Sequence, residues 1–135
     1  MKKIYNEDYY MYRLCNIKGI GRASVRKLVD FFGSAYNVSK ADINILKKSG
    51  ILNGRQIDEF AFSMKNKDSI YKYEDMIKNG CNWISINNNN YPERLHNIDD
   101  APLGLYCRGN LPPDDRLSVA IIGSRNCSSY GRRMA

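Results

Sequence analysis

The chain has 135 residues, 21 Lys and Arg against 14 Asp and Glu, a formal charge of +7 and a single histidine. That length accommodates one domain or two small ones, and the basic excess favours a polyanionic partner. Four scattered cysteines (Cys15, Cys81, Cys107 and Cys127) exclude a zinc-finger spacing or a disulfide framework, no run approaches the ~18 apolar residues of a membrane span, and the start lacks the apolar core of a signal peptide, so a cytoplasmic chain with reduced thiols is expected.

The charge is uneven: residues 1–70 hold 13 basic and 7 acidic side chains, and residues 71–135 hold 8 and 7, so purely electrostatic attraction is expected to be strongest in the first half. Tyr9, Tyr10, Leu14 and Ile17 share a helical face, with Asp8 as the expected N-cap and Tyr5 or Ile4 just ahead of it. The helix is expected to stop at Lys18-Gly19. Val25, Leu28, Val29 and Phe32 then recur at i, i+3, i+4 and i+7, defining a second helix ended by Gly33. Two helices joined by a tight glycine turn make a helix-hairpin-helix candidate. Gly19 and Gly21 remove the Cβ atoms that would hold a phosphodiester away from the backbone, and Ile20 between them anchors the turn. Arg22 and Arg26 lie four apart, able to flank one phosphate track. A hairpin that uses its glycines only for close packing, or a domain that binds another protein, fits the same residues.

A third helix is expected to start at Ser39, capping residues 41–48 with Asp42 in the first turn; residues 50–54 break it, and Ile57, Phe60, Ala61 and Met64 supply a fourth apolar face. At an offset of 32, Leu14, Ile20, Val25 and Leu28 align with Leu46, Leu52, Ile57 and Phe60, a second and degenerate hairpin without the paired glycines. The polar stretch 65–69 fits either the end of the helical module or the opening of the next helix, and a helical domain, 1–66, and a second unit, 67–135, are expected. There Tyr73, Met76 and Ile77 carry a helix to Asn79-Gly80, residues 83–86 alternate like a strand, and 87–90 form a polar loop. Pro92 lies near N1 of a short helix with Leu95 and Ile98 inward, followed by a buried strand over 103–107 and a turn over 108–113. This order indicates an α/β sheet beside the helical module. His96 has no carboxylate or cysteine at a useful spacing and is expected to be structural or exposed.

Val119, Ala120, Ile121 and Ile122 form an unbroken apolar run, the signature of a parallel strand buried on both faces, and Gly123 lets the chain turn. Ser124, Arg125, Ser128, Ser129, Tyr130 and Gly131 follow. A strand, a hydroxyl-rich turn and a helix start can hold a phosphate, with Arg125 as a positive fork, although an ordinary turn with a solvated arginine reads the same way. No Gly-x-Gly-x-x-Gly pattern and no ribose-holding acid about 20 positions on are present, so no nucleotide cofactor is expected. Neither paired carboxylates nor a nucleophile–base pair nor a metal cluster is visible, which points away from an enzyme.

Taken together, Tyr91, Pro92, Leu95, Ile98, Asp99 or Asp100, Pro102, Leu105 and Gly109, then VAIIGSR with Ser128, Tyr130, Gly131 and Ala135, resemble the DNA-processing protein A (DprA or Smf) family. The resemblance implies an α/β chain in which a helical domain, sterile-alpha-motif-like or helix-hairpin-helix, precedes an extended Rossmann-type sheet. It implies a protein that binds single-stranded DNA, protects incoming strands in natural transformation, loads the RecA recombinase and forms a homodimer at full length. Gly123, Ser124 and Arg125 would inherit the family's DNA pocket, bordered by Ser128, Ser129, Tyr130 and Gly131. A parallel sheet needs further strands to cover the one at Val119, so the second unit is expected to be incomplete within these residues. The alternative is a nucleotide-processing enzyme of the phosphoribohydrolase-like kind on a similar sheet.

Overall fold

The computed structural model describes residues 5–134; Ile4 and Ala135, both named above, lie outside them. Helix α1 (Glu7–Cys15) begins after Asn6, whose side chain accepts the Tyr9 N–H at 3.2 Å. Asp8 is therefore not the cap: it sits inside the first turn, 8% exposed, and serves a contact 77 residues away. Helix α2 (Arg22–Phe32) ends at Gly33 in the left-handed region, φ 84°, as its glycine required. Two helices, not one, follow it. Helix α3 (Ala35–Lys40) is capped by Ser34, and α4 (Ile43–Ser49) by Asp42. Ser39, the expected cap, instead lies within α3 and donates its hydroxyl to the Tyr36 carbonyl at 2.7 Å. Ser34 starts α3, a helix not expected from the sequence, and the extended backbone of Ala41 and Asp42 separates it from α4, which corresponds to the helix expected over 41–48.

Helix α5 (Gly54–Lys65) starts with a reciprocal capping box between Asn53 and Gln56. Its last carbonyls are gathered by Arg13, whose Nη2 donates to Ser63, Met64 and Asn66 at 2.7, 2.8 and 3.2 Å. The 32-residue offset is a structural repeat: Leu14, Ile20, Val25 and Leu28 and their counterparts Leu46, Leu52, Ile57 and Phe60 are all buried in one core. The N-caps Gly21 and Asn53 stand at the same offset. The second hairpin thus supports the first by supplying the other half of its core.

Helix α6 (Asp68–Lys78) leads through Gly80, φ 73°, into strand β1 (Cys81–Ser85). After the asparagine loop, Pro92 caps the single turn α7 (Glu93–His96), and strand β2 (Gly104–Arg108) pairs antiparallel with β1, Trp83 opposite Tyr106. Among the described residues the sheet has these two strands, and they are antiparallel, whereas a parallel sheet was expected. The strand expected over 119–122 is not formed. Val119 is 90% and Ile122 93% exposed, because no strand edge lies beside the run and no helix covers it among the described residues. Ile98 is likewise half exposed, since α7 ends before it. His96 is exposed and touches Tyr91 edge-on.

Helix α1 is shared between two cores. Met11 and Leu14 face the helical core, while Tyr9 and Tyr12 join Tyr73 and Trp83 in an aromatic cluster. Tyr9–Tyr73 and Tyr12–Trp83 meet edge to face, with centroids 5.2 and 5.6 Å apart. Polar ties reinforce the join: Asp8 Oδ1 accepts the Ser85 N–H at 3.0 Å, and its Oδ2 accepts from Asn88 Nδ2 at 2.5 Å. Helix α5 ends at Lys65 and α6 begins at Asp68, so the polar stretch between them is a true helix break.

Candidate nucleic-acid interface

The glycine hairpin between α1 and α2 has the form its sequence called for. Gly19 takes φ 77°, a conformation open to few other residues, and no atom lies within 4 Å of where a Cβ would stand at Gly19 or Gly21. Ile20 between them is 6% exposed and anchors the turn in the core. Both glycines are exposed, so the backbone there is open to approach. Gly21 offers no side-chain cap, leaving the first N–H groups of α2 directed at whatever stands before them.

What stands nearby is the chain's own segment at residues 100 and 101. Arg22 is ion-paired with Asp100, and Arg26 donates to the Ala101 carbonyl at 2.7 Å. The two arginines expected to flank a phosphate track thus hold the approach to β2 against α2. Tyr91 completes this clasp: its hydroxyl donates to the Pro102 carbonyl at 2.8 Å, and burial pushes its phenol pKa up against the opposing pull of Arg26. Ala101 and Leu103 are buried, Leu103 in the helical core. Tyr91 and Pro102, two residues of the motif pattern, thus stiffen the segment that the Arg22 and Arg26 brace ties to the helical part.

The second group of candidate residues lies along the exposed C-terminal segment. It leaves β2 at Gly109, φ 83°, and runs back beside α7, where Asp114 accepts the Glu93 N–H at 3.0 Å and Arg94 reaches Ser118 Oγ at 3.3 Å. Gly123, Ser124 and Arg125 are all exposed, with a bend at Arg125. Arg125 makes no ion pair among the described residues. Helix α8 (Ser129–Met134) follows, and Ser128 is its cap: its Oγ accepts the Gly131 N–H at 3.1 Å and its carbonyl accepts from Arg132 at 3.0 Å. Ser128 therefore shapes the turn, whereas Ser124, Ser129 and Tyr130 present themselves to solvent. A Cβ at Gly131 would make only ordinary contacts, 3.6 Å to Cys127 and Ser128, so that glycine is not required by packing.

Residues 116–134 contain Arg116, Arg125, Arg132 and Arg133 and no carboxylate. All four are exposed. Arg132 and Arg133 were not singled out from the sequence, although the lack of any acidic residue around them was there to be counted. The hairpin and the C-terminal segment are not joined by any hydrogen bond or ion pair among the described residues, so they form two separate candidate surfaces. No group of three or more His, Cys, Asp or Glu side chains able to hold a metal occurs among the described residues, and no described helix is long and apolar enough to cross a membrane.

Residues 82–135 match the family profile described as DNA recombination-mediator protein A. Protein Smf of Borreliella burgdorferi is 42% identical over 43 residues, which is 32% of this chain and 14% of that protein, so the chain spans a small part of that relative's length. No solved structure matches the chain. The profile takes in the segment stiffened by Tyr91 and Pro102 and the whole exposed segment from Gly109 onward. Across residues 82–135, then, the resemblance to the DNA-processing protein A (Smf) family read from the Tyr-Pro pattern and the Gly-Ser-Arg turn is borne out.

Proposed function

We propose that this chain is a single-stranded DNA-binding part of a recombination mediator, acting by binding and not by catalysis. The observation that carries the reading is the segment 116–134, with four exposed arginines, no carboxylate, and a bend at Arg125 preceding the Ser128-capped helix. Arg125, Ser124 and nearby backbone N–H groups would hold phosphates, with Gly123 allowing the strand to approach the backbone and Ser129, Tyr130 and Gly131 bordering the contact. The exposed turn at Gly19 and Gly21 would add a weaker contact, with Arg22 and Arg26 available only when the brace to residues 100 and 101 opens.

In this reading, residues 67–135 contribute the beginning of a Rossmann-type sheet. The apolar run 119–122 is its strand and enters the sheet when neighbouring strands are supplied. Residues 1–66 are a helical domain of the helix-hairpin-helix or sterile-alpha-motif-like kind. Protection of incoming DNA in natural transformation, transfer of that DNA to RecA, homodimerisation and a cytoplasmic location belong to the same proposal. The match to a recombination-mediator profile supports it over a phosphoribohydrolase-like enzyme.

The test is titration of a labelled oligonucleotide with wild-type protein and Arg125→Ala. Charge-assisted hydrogen bonds contribute about 1.5–3 kcal/mol each, so a ten- to hundredfold loss of affinity is expected, with a shallower salt dependence. Equal affinities and equal salt slopes would remove Arg125 from the site.

A further inference from the structure

The hairpin repeat builds a groove that neither the motif pattern nor the C-terminal segment accounts for. Gln56, already part of the α5 capping box, donates its Nε2 to the Gly19 carbonyl at 2.9 Å and so sets the two hairpins side by side. Between them lies a cavity of about 420 Å³ bordered by Lys18, Gly19, Asn53, Arg55, Gln56 and Glu59. A second cavity, about 280 Å³, shares Lys18 and Glu59 with the first and continues it past Asn16 and Phe62 to Ser69 and Lys72. The two make one groove along α5.

Three features of this groove point to a ligand. Phe62 is 66% exposed on its lip, an apolar ring that no described residue covers. Ser69, in the second cavity, has a buried hydroxyl without a hydrogen-bond partner among the described residues. Lys18, Arg55 and Lys72 supply three cations, against the carboxylates of Glu59 and Asp68, and Asp68 is already engaged by Asn66. An exposed ring, small polar groups behind it and cations spaced along the rim match a stacked base and its flanking phosphates. The bare Gly19 backbone lets a sugar-phosphate chain come close.

We infer that this groove is a second single-strand site, in which one nucleobase stacks on Phe62 and enters the Asn16–Ser69 cavity while Lys18 and Arg55 neutralise neighbouring phosphates. It rests on the single-strand reading above but uses different residues, and it places the working face of the hairpin away from Arg22 and Arg26. The exposed Phe62 ring beside the cavity suits a base between phosphates better than an acidic peptide, whose carboxylates would use the cations and leave the ring without a partner.

The experiment compares binding of a fluorescein-labelled oligothymidylate, and of the same length carrying abasic positions, to the full chain and to Phe62→Ala, Lys18→Gln/Arg55→Gln and Arg125→Ala. Phe62→Ala is expected to weaken oligothymidylate binding about five- to a hundredfold and to erase the advantage of oligothymidylate over the abasic strand. The double variant is expected to reduce the salt slope by about 1.4, two phosphates at ~0.7 each. Unfolding midpoints of all variants check that the exposed substitutions leave the fold intact. If Phe62→Ala keeps both the affinity and the base dependence, the groove is not the site, whatever Arg125→Ala does. Loss with Phe62→Ala but not with Arg125→Ala upholds the groove and removes the C-terminal contact. Displacement of the oligonucleotide by a polyglutamate peptide as readily as by unlabelled oligothymidylate, with base dependence unchanged in Phe62→Ala, would make the groove an acidic-peptide site and overturn the inference.

Discussion

Asp8→Ala is the substitution that most directly tests how the two parts of the chain are joined. Asp8 is 8% exposed and its two oxygens accept from the Ser85 N–H at 3.0 Å and the Asn88 amide at 2.5 Å, across 77 and 80 residues of sequence. Each hydrogen bond to a charged acceptor contributes about 1.5–3 kcal/mol, and removing the acceptor also leaves the N–H of Ser85, itself 1% exposed, without a partner. A loss of about 3–5 kcal/mol is expected, a large share of the 5–15 kcal/mol typical of a domain. At this chain length that lowers the melting midpoint by roughly 10–20 °C. Far-UV circular dichroism reports the helices, and the fluorescence of Trp83, the chain's one tryptophan, reports β1. Asn88→Ala should cost less, because Ser85 keeps its acceptor, and the pair should be non-additive, since Asp8→Ala already removes the Asn88 contact. A loss below about 1 kcal/mol for Asp8→Ala, or additivity of the two substitutions within ~0.5 kcal/mol, would refute the argument.

Gly104→Ala is expected to cost about 1–3 kcal/mol, because a Cβ there would overlap the indole of Trp83, which is 7% exposed and has nowhere to swing; a denaturant midpoint equal to wild type would show that the ring can yield. Asp100→Asn breaks the pair with Arg22, whose partners are both largely exposed, so stability should change by less than about 1 kcal/mol while oligonucleotide affinity at low salt rises a few-fold. An unchanged or lower affinity would mean that Arg22 is not held back from DNA. Burial pushes the Cys15 thiol up to about 11 from an ordinary value of 9.0, and burial also raises Tyr12 and Tyr73. Folded pKa values above the unfolded ones mean stability that is fully present below about pH 9 and is lost as pH rises towards 11, by about 2–3 kcal/mol for Cys15; urea melts at pH 7, 9 and 10.5 check this, and a flat profile contradicts it. Thiol labelling at pH 8 should reach exposed Cys127 first, and buried Cys107 and the raised-pKa Cys15 last, which mass spectrometry of partially labelled protein would reveal.

The helical half was largely legible because its signals are local. Val25, Leu28 and Gly33 define α2 within one stretch, and the match of Leu14 with Leu46 and Ile20 with Leu52 is a matter of counting. Capping was less legible, since Asn6 and Asp8, or Ser34 and Ser39, are chemically equivalent caps, and the choice between them is made by distant partners. Asp8 is kept from the cap by Ser85 and Asn88, which no window of neighbouring sequence contains. Arg22 and Arg26 illustrate the same limit at the candidate site: their spacing is right for a phosphate track, but their partners at residues 100 and 101 belong to another part of the chain. The run 119–122 was legible as a strand only in pattern, because a strand is a relation between neighbours and none is present among the described residues.

These pairings also move the charge. By sequence the basic excess lies in residues 1–70, yet three of its arginines are engaged internally: Arg13 on the carbonyls closing α5, Arg22 on Asp100, and Arg26 on Ala101. What remains open there is spread over lysines and Arg55, interleaved with Glu59, Asp58 and Asp68. The segment 116–134 keeps all four of its arginines exposed and has no acid to offset them, so the higher local density of free positive charge lies in the half that looked nearly neutral. Phosphate attraction follows local, unpaired charge within about a Debye length of ~10 Å, not the sum over a domain. For that reason the larger share of the salt-dependent binding is assigned to the C-terminal arginines, and the groove beside Gly19 adds the base it stacks and the two phosphates met by Lys18 and Arg55.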